Sequence, residues 1–139
     1  MPSIRDIMST PVVNISPIKT VYDAAKLMTD RNVECLVVVW EDRVEGIITE
    51  KDIVRRVVAR KINYDVKVLN VMSKPVITIN SDVSIKKARE VMILKKISRL
   101  PVVEKGRLVG IVVASDLIRG RKQNEIKLIN DFEDLLEEV

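Results

Sequence analysis

A threonine and an aspartate three residues apart, Thr49 and Asp52, stand where an apolar β-branched run gives way to a helical pattern, in the stretch Gly46-Ile47-Ile48-Thr49-Glu50-Lys51-Asp52. A carboxylate can accept from the two vicinal hydroxyls of a ribose, and a neighbouring hydroxyl can donate to a phosphate. The strand-to-helix junction adds free backbone N–H groups, which receive phosphates and hydroxyls readily. The same pair also has a use that needs no ligand, because Thr at an N-cap with an acid at N3 is close to a capping box. On this stretch alone both uses stay open.

The stretch occurs twice. Gly110-Ile111-Val112-Val113-Ala114-Ser115-Asp116 lies 64 positions further on, and the same offset aligns Met8-Ser9 with Met72-Ser73, Pro11-Val12 with Pro75-Val76, and Val38-Val39 with Val102-Val103. Ala24, Met28, Leu36 and Arg43 fall on Ala88, Met92, Leu100 and Arg107 without a gap. An ungapped repeat of this length indicates one supersecondary unit built twice.

The elements that must position these residues follow from periodicity. Thr20 to Arg31 reads as a helix with Val21, Ala24, Ala25 and Met28 on one face, opened by a second capping pair, Thr20 with Asp23. Leu36 to Trp40 is an unbroken apolar strand, Glu41-Asp42 a turn, and Arg43 to Ile48 the returning strand. Glu50 to Arg60 is the next helix. The second half repeats the order, with Val83 to Lys96 helical, strands at 100–104 and 108–113, and a last helix from Ser115, which is expected to be its N-cap. Short extended pieces at Val12 to Ile15 and Val76 to Ile79 precede the helices. Each half is therefore β-α-β-β-α, and the fold class is α/β, in an α+β arrangement. The expected domains are residues 1–62, residues 63–122, and an acidic helical extension at 123–139 with an apolar stripe at Ile126, Ile129, Phe132, Leu136 and Val139.

The composition supports a core: 47% of the 139 residues are hydrophobic, while aromatics make up 3%. No apolar run approaches 18 residues and the first residues lack an apolar signal region, so a soluble cytoplasmic protein is expected. The single cysteine, Cys35, has no partner for an internal disulfide and is expected to be a buried thiol. The acids Asp131, Glu133, Asp134, Glu137 and Glu138 face no base within 131–139; setting their five charges aside, the net +4 becomes about +9 on residues 1–130. A basic body attracts anions, whether nucleotide phosphates or a nucleic-acid backbone. The scatter of the bases and the few aromatics argue against nucleic acid.

With M-S-x-P-V near the start of each copy and G-h-h-x-x-x-D at its end, the chain resembles a pair of cystathionine-β-synthase (CBS) domains, the Bateman module. The segment R-L-P-V-V-E-K-G-R-L-V-G is especially similar, and the resemblance covers about residues 3–120. It implies two halves related by a pseudo-twofold axis, two clefts between them, adenine nucleotides (AMP, ADP, ATP) or S-adenosylmethionine as ligands, and homodimers. It further implies that one cleft combines Thr49 and Asp52 with Thr78, Ile79, Ser98, Arg99, Leu100 and Pro101. In that cleft Asp52 would take ribose, Thr49 and Arg99 phosphate, and the groups near Ile79 and Leu100 adenine. The other cleft would combine Asp116 with Asn14, Ile15, Cys35, Leu36 and Val37. This second, weaker cleft departs from the family pattern, with Val113 in place of Thr/Ser, Cys35 in place of Arg and Val37 in place of Pro.

The residue inventory offers no catalytic device. There is no histidine, no phosphate-binding Gly-x-x-x-x-Gly-Lys loop, no paired-cysteine spacing and no serine in a nucleophile elbow, so neither a catalytic cofactor nor a metal is expected. A non-catalytic sensor of an adenosine-containing ligand is the leading expectation, with a regulated protein partner that the residues do not name. The alternatives are a structural dimerisation module with empty clefts and a nucleic-acid-associated protein using its basic body.

Overall fold

The computed structural model describes residues 2–119; the acidic extension and its stripe lie outside the described residues. Each half contributes a three-stranded sheet. In the first, β1 (Asn14–Ile15) pairs in parallel with β2 (Cys35–Trp40), which pairs antiparallel with β3 (Arg43–Thr49). In the second, β4 (Ile79–Asn80), β5 (Arg99–Glu104) and β6 (Arg107–Val113) repeat the arrangement. Helices α1 (Val21–Arg31) and α3 (Ile85–Lys95) make the parallel crossovers, while α2 (Glu50–Ile53) and α4 (Ala114–Arg119) follow the hairpins. The two sheets meet through β3 and β6 in the middle of the molecule.

Local chemistry explains the shared backbone. Both hairpins turn through two residues with positive φ, Glu41-Asp42 and Lys105-Gly106, the twist that two-residue turns require. Both carry a bulge, after Val38 and after Val102, that leaves Glu45 and Val109 without a cross-strand partner. Asn32 and Lys96 close α1 and α3 in the left-handed conformation. Thr20 and Asp23 form a full capping box, as do Thr49 and Asp52.

Three expectations are corrected. The helix from Glu50 is α-helical only to Ile53; Val54–Val58 widen into a π-helix in which the amide of Ala59 reaches back to the Val54 carbonyl at 2.8 Å. This turn is rich in β-branched valines, which crowd a regular α-turn. The extended pieces at Val12 to Ile15 and Val76 to Ile79 are strands only at Asn14–Ile15 and Ile79–Asn80. Ser115 is inside α4, not its cap; the capping position is Val113, whose amide donates to Asp116 Oδ2 at 2.9 Å.

The packing crosses the repeats. The first core joins Leu36, Val38, Ile48 and Met28 with Val68, Val71 and Met72, which belong to the second sequence copy. The second core joins Leu100, Val102, Val112 and Met92 with Ile4 from the first copy. Two straps make this exchange. Residues 4–9 run over the second half, with Ser9 and Ile111 exchanging backbone hydrogen bonds at 2.9 and 3.2 Å. Residues 68–73 run over the first half, where Ser73 and Ile47 do the same at 2.8 and 3.2 Å.

Candidate functional site

Two clefts open where the straps cross the central strands. The smaller, about 270 Å³, is lined by Thr49 and Ile47 from β3, by Ser73, Pro75, Val76 and Ile77 from the second strap and its continuation, and by Lys96, Ile97, Ser98 and Arg99. The larger, about 750 Å³, is built from the equivalent backbone: Val113 and Ile111 from β6, Ser9, Pro11 and Val12 from the first strap, and Asn32, Glu34 and Cys35 before and at the start of β2. Glu50 of α2 also reaches it. Arg99 lines both.

Thr49, Ser98 and Arg99 are thus brought together as the sequence suggests. The chemistry of this corner is that of hydroxyls and cations, with Lys96 beside them and no carboxylate in the lining among the described residues. Asp52 stands next to it rather than in it. Its Oδ2 accepts from the Thr49 amide at 2.9 Å, its amide donates to Thr49 Oγ1 at 3.1 Å, and Oδ1 faces Ser73 Oγ at 3.5 Å and Arg56 Nη2 at 3.8 Å. One carboxylate oxygen is therefore committed to the cap, and the other looks toward the strap residue that lines the cleft.

The first-strand contribution lies earlier in the chain than the sequence suggests. Val76 and Ile77 line the smaller cleft; Thr78 instead lines a cavity of about 580 Å³ beside the hairpin turns, and Ile79 is buried in the core. Likewise Val12 and Val13 line the larger cleft, while Asn14 and Ile15 line a separate cavity of about 420 Å³ against α1, with Lys19, Asp23, Lys26 and Asp30. The physical reason is sheet order. β1 and β4 are the strands farthest from the central pair β3 and β6, so only the chain entering them borders the cleft. Leu36, Val37, Leu100 and Pro101 are buried as core.

Arg99 has a partner that periodicity could not foresee. Its Nη2 donates to Glu34 Oε1 of the other half at 2.7 Å, and Nη1 to Ser98 Oγ at 3.4 Å. Cys35, equivalent to Arg99 under the 64-residue offset, lies beside it. Burial pushes the Cys35 thiol up, against the charge and hydrogen bond of Arg99, which pull it down. The thiol is only half-buried because it opens the strand at the cleft wall. Asp116 is buried and spends Oδ2 on the Val113 amide. The residues missed were those of the straps and the loops before β2 and β5, among them Ser9, Glu34, Ser73 and Lys96. The repeated Met-Ser-x-Pro-Val motif was the available signal for the straps: it marks the repeat and also walls both clefts. Among the described residues no group of His, Cys, Asp and Glu side chains is placed to hold a metal ion, and no helix is long and apolar enough to cross a membrane.

Comparison with known proteins matches this arrangement twice over. A family model described as the CBS domain matches residues 4–59 and again residues 67–122. The CBS domain-containing protein YhcV of Bacillus subtilis (strain 168) is 36% identical over 125 residues, covering 90% of this chain and 89% of that one. The CBS domain pair of protein MJ0100, solved in complex with 5′-methylthioadenosine and S-adenosyl-L-methionine, superposes with a TM-score of 0.77 at 30% identity, over 86% of this chain and 94% of that one. A hexameric CBS-CP12 protein from bloom-forming cyanobacteria superposes with a TM-score of 0.78 at 30% identity, over 91% and 74%.

Proposed function

The chain belongs to the CBS-domain family, and from that premise we propose that it is a non-catalytic sensor that binds an adenosine-containing ligand between its halves and passes the occupancy to a protein partner. Pairs of CBS domains are regulatory modules. The observation that carries the ligand reading is the corner where Thr49, Ser98, Lys96 and Arg99 line one cleft. It offers hydroxyl donors and two cations to a phosphate, and Asp52 Oδ1 stands nearby for a ribose. A relative of the same fold crystallised with adenosyl ligands supports the class of molecule.

Calorimetry with AMP and adenosine tests this. Arg99→Ala should weaken AMP by about 1.5–3 kcal/mol, the range for a hydrogen bond to a charged group, and toward the lower end because Arg99 leaves Glu34 to reach the phosphate. Adenosine should bind both proteins nearly equally. A thermal-shift panel of AMP, ADP, ATP, S-adenosylmethionine and NADH checks the ligand class, since a ligand of the folded state raises the midpoint. No shift with any of them would leave the purely structural alternative.

The module also works as a homodimer in this reading. Val54 and Val58 on the π-turn and Ile93 and Leu94 on α3 are 58 to 76% exposed, and apolar side chains concentrated on helices mark interfaces. A monomeric mass by light scattering at micromolar concentration would refute the dimer and leave the ligand site untouched.

A further inference from the structure

The pseudo-twofold axis places position 35 beside position 99, and a symmetric molecule would have an arginine at each. This one has an arginine at one and a cysteine at the other, so among the described residues the two clefts have one guanidinium between them. The clefts differ in charge accordingly. Among the described residues, the smaller is lined by Lys96 and Arg99 without a carboxylate, whereas the larger is lined by Glu34 and Glu50 with Arg99 as its one cation. The Arg99 side chain is 26% exposed and the Glu34 side chain 70%. An ion pair with one partner so exposed is held weakly, whereas a phosphate accepts a guanidinium through charge-assisted, often bidentate bonds.

We propose that Arg99 couples the clefts: a phosphate-bearing ligand in the smaller cleft takes the guanidinium from Glu34, leaving the larger cleft with uncompensated carboxylates that favour a cationic ligand and disfavour a second anion. The inference rests on the nucleotide reading above and adds its regulation. Coupling of this kind is reciprocal, so a cation held in the larger cleft by Glu34 and Glu50 frees Arg99 and tightens phosphate binding in the smaller. Cys35 lies beside Arg99 in the larger cleft and is the only cysteine of the chain, so its reactivity reports the position of the guanidinium. When Arg99 leaves, the thiol loses its nearest positive charge while burial still opposes ionisation, and the thiolate is the reacting species.

Two measurements on the full chain test the coupling. By calorimetry, Glu34→Gln should bind AMP about two- to fivefold more tightly than the parent, the scale of an exposed ion pair no longer broken on binding. Alkylation of Cys35 by iodoacetamide, an uncharged reagent, should slow about three- to tenfold at saturating AMP. In Arg99→Ala, alkylation should already be slow and should not respond to AMP. If AMP binds parent and Glu34→Gln equally and leaves alkylation unchanged, the coupling is wrong and the nucleotide reading stands. If AMP still blocks Cys35 in Arg99→Ala, the nucleotide occupies the larger cleft directly, which also overturns the coupling. If AMP binds neither protein, the nucleotide reading fails and the coupling falls with it.

Discussion

Where the first strap crosses the second half, Arg5, Ser81 and Glu104 form a polar clamp; where the second strap crosses the first half, the equivalent positions are Leu69, Pro17 and Trp40. The backbone contact is the same in both, Arg5 N to Ser81 O at 3.0 Å and Leu69 N to Pro17 O at 3.0 Å. In the clamp Ser81 Oγ donates to Glu104 Oε1 at 2.6 Å, and Arg5 Nε and Nη2 reach the same oxygen at 3.0 and 2.5 Å. On the other side Leu69 and Trp40 are each 43% exposed. The clefts diverge in the same way, with Thr49 in one, Val113 and Cys35 in the other, and Arg99 lining both. Duplication held the sheets, turns and cores alike, and the side chains differ where the straps cross and where the clefts open.

If the halves are alike in their cores, core truncation should not distinguish them. Leu36 and Leu100 are equivalent and both fully buried. Leu36→Ala and Leu100→Ala should each cost about 2–5 kcal/mol in chemical denaturation, as buried Leu→Ala changes do. The two values should agree within about 1 kcal/mol. A larger gap would mean that one core tolerates collapse and that the duplication is less even than the strands suggest.

The straps should break the equality. A Cβ on Gly46 would stand 2.8 Å from Met72 Sδ and 2.8 Å from the Ser73 carbonyl oxygen, and that carbonyl is tied to the Ile47 amide. A Cβ on Gly110 would meet the side chain of Met8 first, its Sδ closest, its Cγ at 2.8 Å and its Cβ at 3.1 Å, with no backbone atom as near. A methionine can turn away; a strap backbone cannot without losing its hydrogen bonds. Gly46→Ala should therefore cost about 1–3 kcal/mol, the scale of overpacking, and Gly110→Ala about 1 kcal/mol less. Equal midpoint shifts in denaturant would show that the first strap is as fixed as the second.

How much of this was legible depended on the range of the interaction. The capping boxes Thr20–Asp23 and Thr49–Asp52, the turns at Glu41-Asp42 and Lys105-Gly106, and the alternation of strand and helix are set within a few residues of chain, and they read directly. The 64-residue offset made the second half follow from the first. Ile4 seated in the second core and Val68 in the first did not read, because the same apolar residue fits either core and only the path of the strap decides. The Arg99–Glu34 pair spans 65 positions and has no periodic signature. Analogy puts Thr78 and Asn14 at the clefts, whereas the outer position of β1 and β4 leaves the lining to the residues just before them.

The helix starts offer a smaller contrast. Thr49 Oγ1 accepts from the Asp52 amide, whereas Val113, its equivalent, has no hydroxyl and only the Asp116 half of the box is made. Thr49→Val should cost about 0.5–2 kcal/mol without ligand, the range for a lost N-cap. Val113→Thr, of nearly the same shape, should stabilise by up to about 1 kcal/mol by completing the second box. A destabilised Val113→Thr would show that the two junctions differ in backbone and not merely in side chain.

The smallest effect expected comes from acid. The hydrogen bond from Ser81, then that from Arg5, holds the Glu104 carboxyl below its ordinary value of 4.5. A carboxylate that ionises more readily folded than unfolded contributes stability in full above its unfolded pKa and loses it as pH falls through the lowered folded one. The clamp should therefore work at neutral pH and fade below about pH 4.5, while Leu69, Pro17 and Trp40 titrate nothing and hold their side unchanged. Asp23 of the first half is held low in the same direction by the amide and hydroxyl of Thr20, so the whole protein loses stability in acid from both halves. Only the difference between a variant and its parent isolates the clamp. Arg5→Leu copies Leu69, and Glu104→Gln removes the charge. Each should be less stable than the parent at pH 7, and the gap for Glu104→Gln should narrow steadily between pH 5 and pH 3 in urea denaturation. Asp23→Asn should narrow likewise, by way of its own cap. A Glu104→Gln gap that stays constant with pH would mean that the carboxylate gains nothing from being charged there, and that the polar clamp holds its strap no better than the apolar contact on the other side.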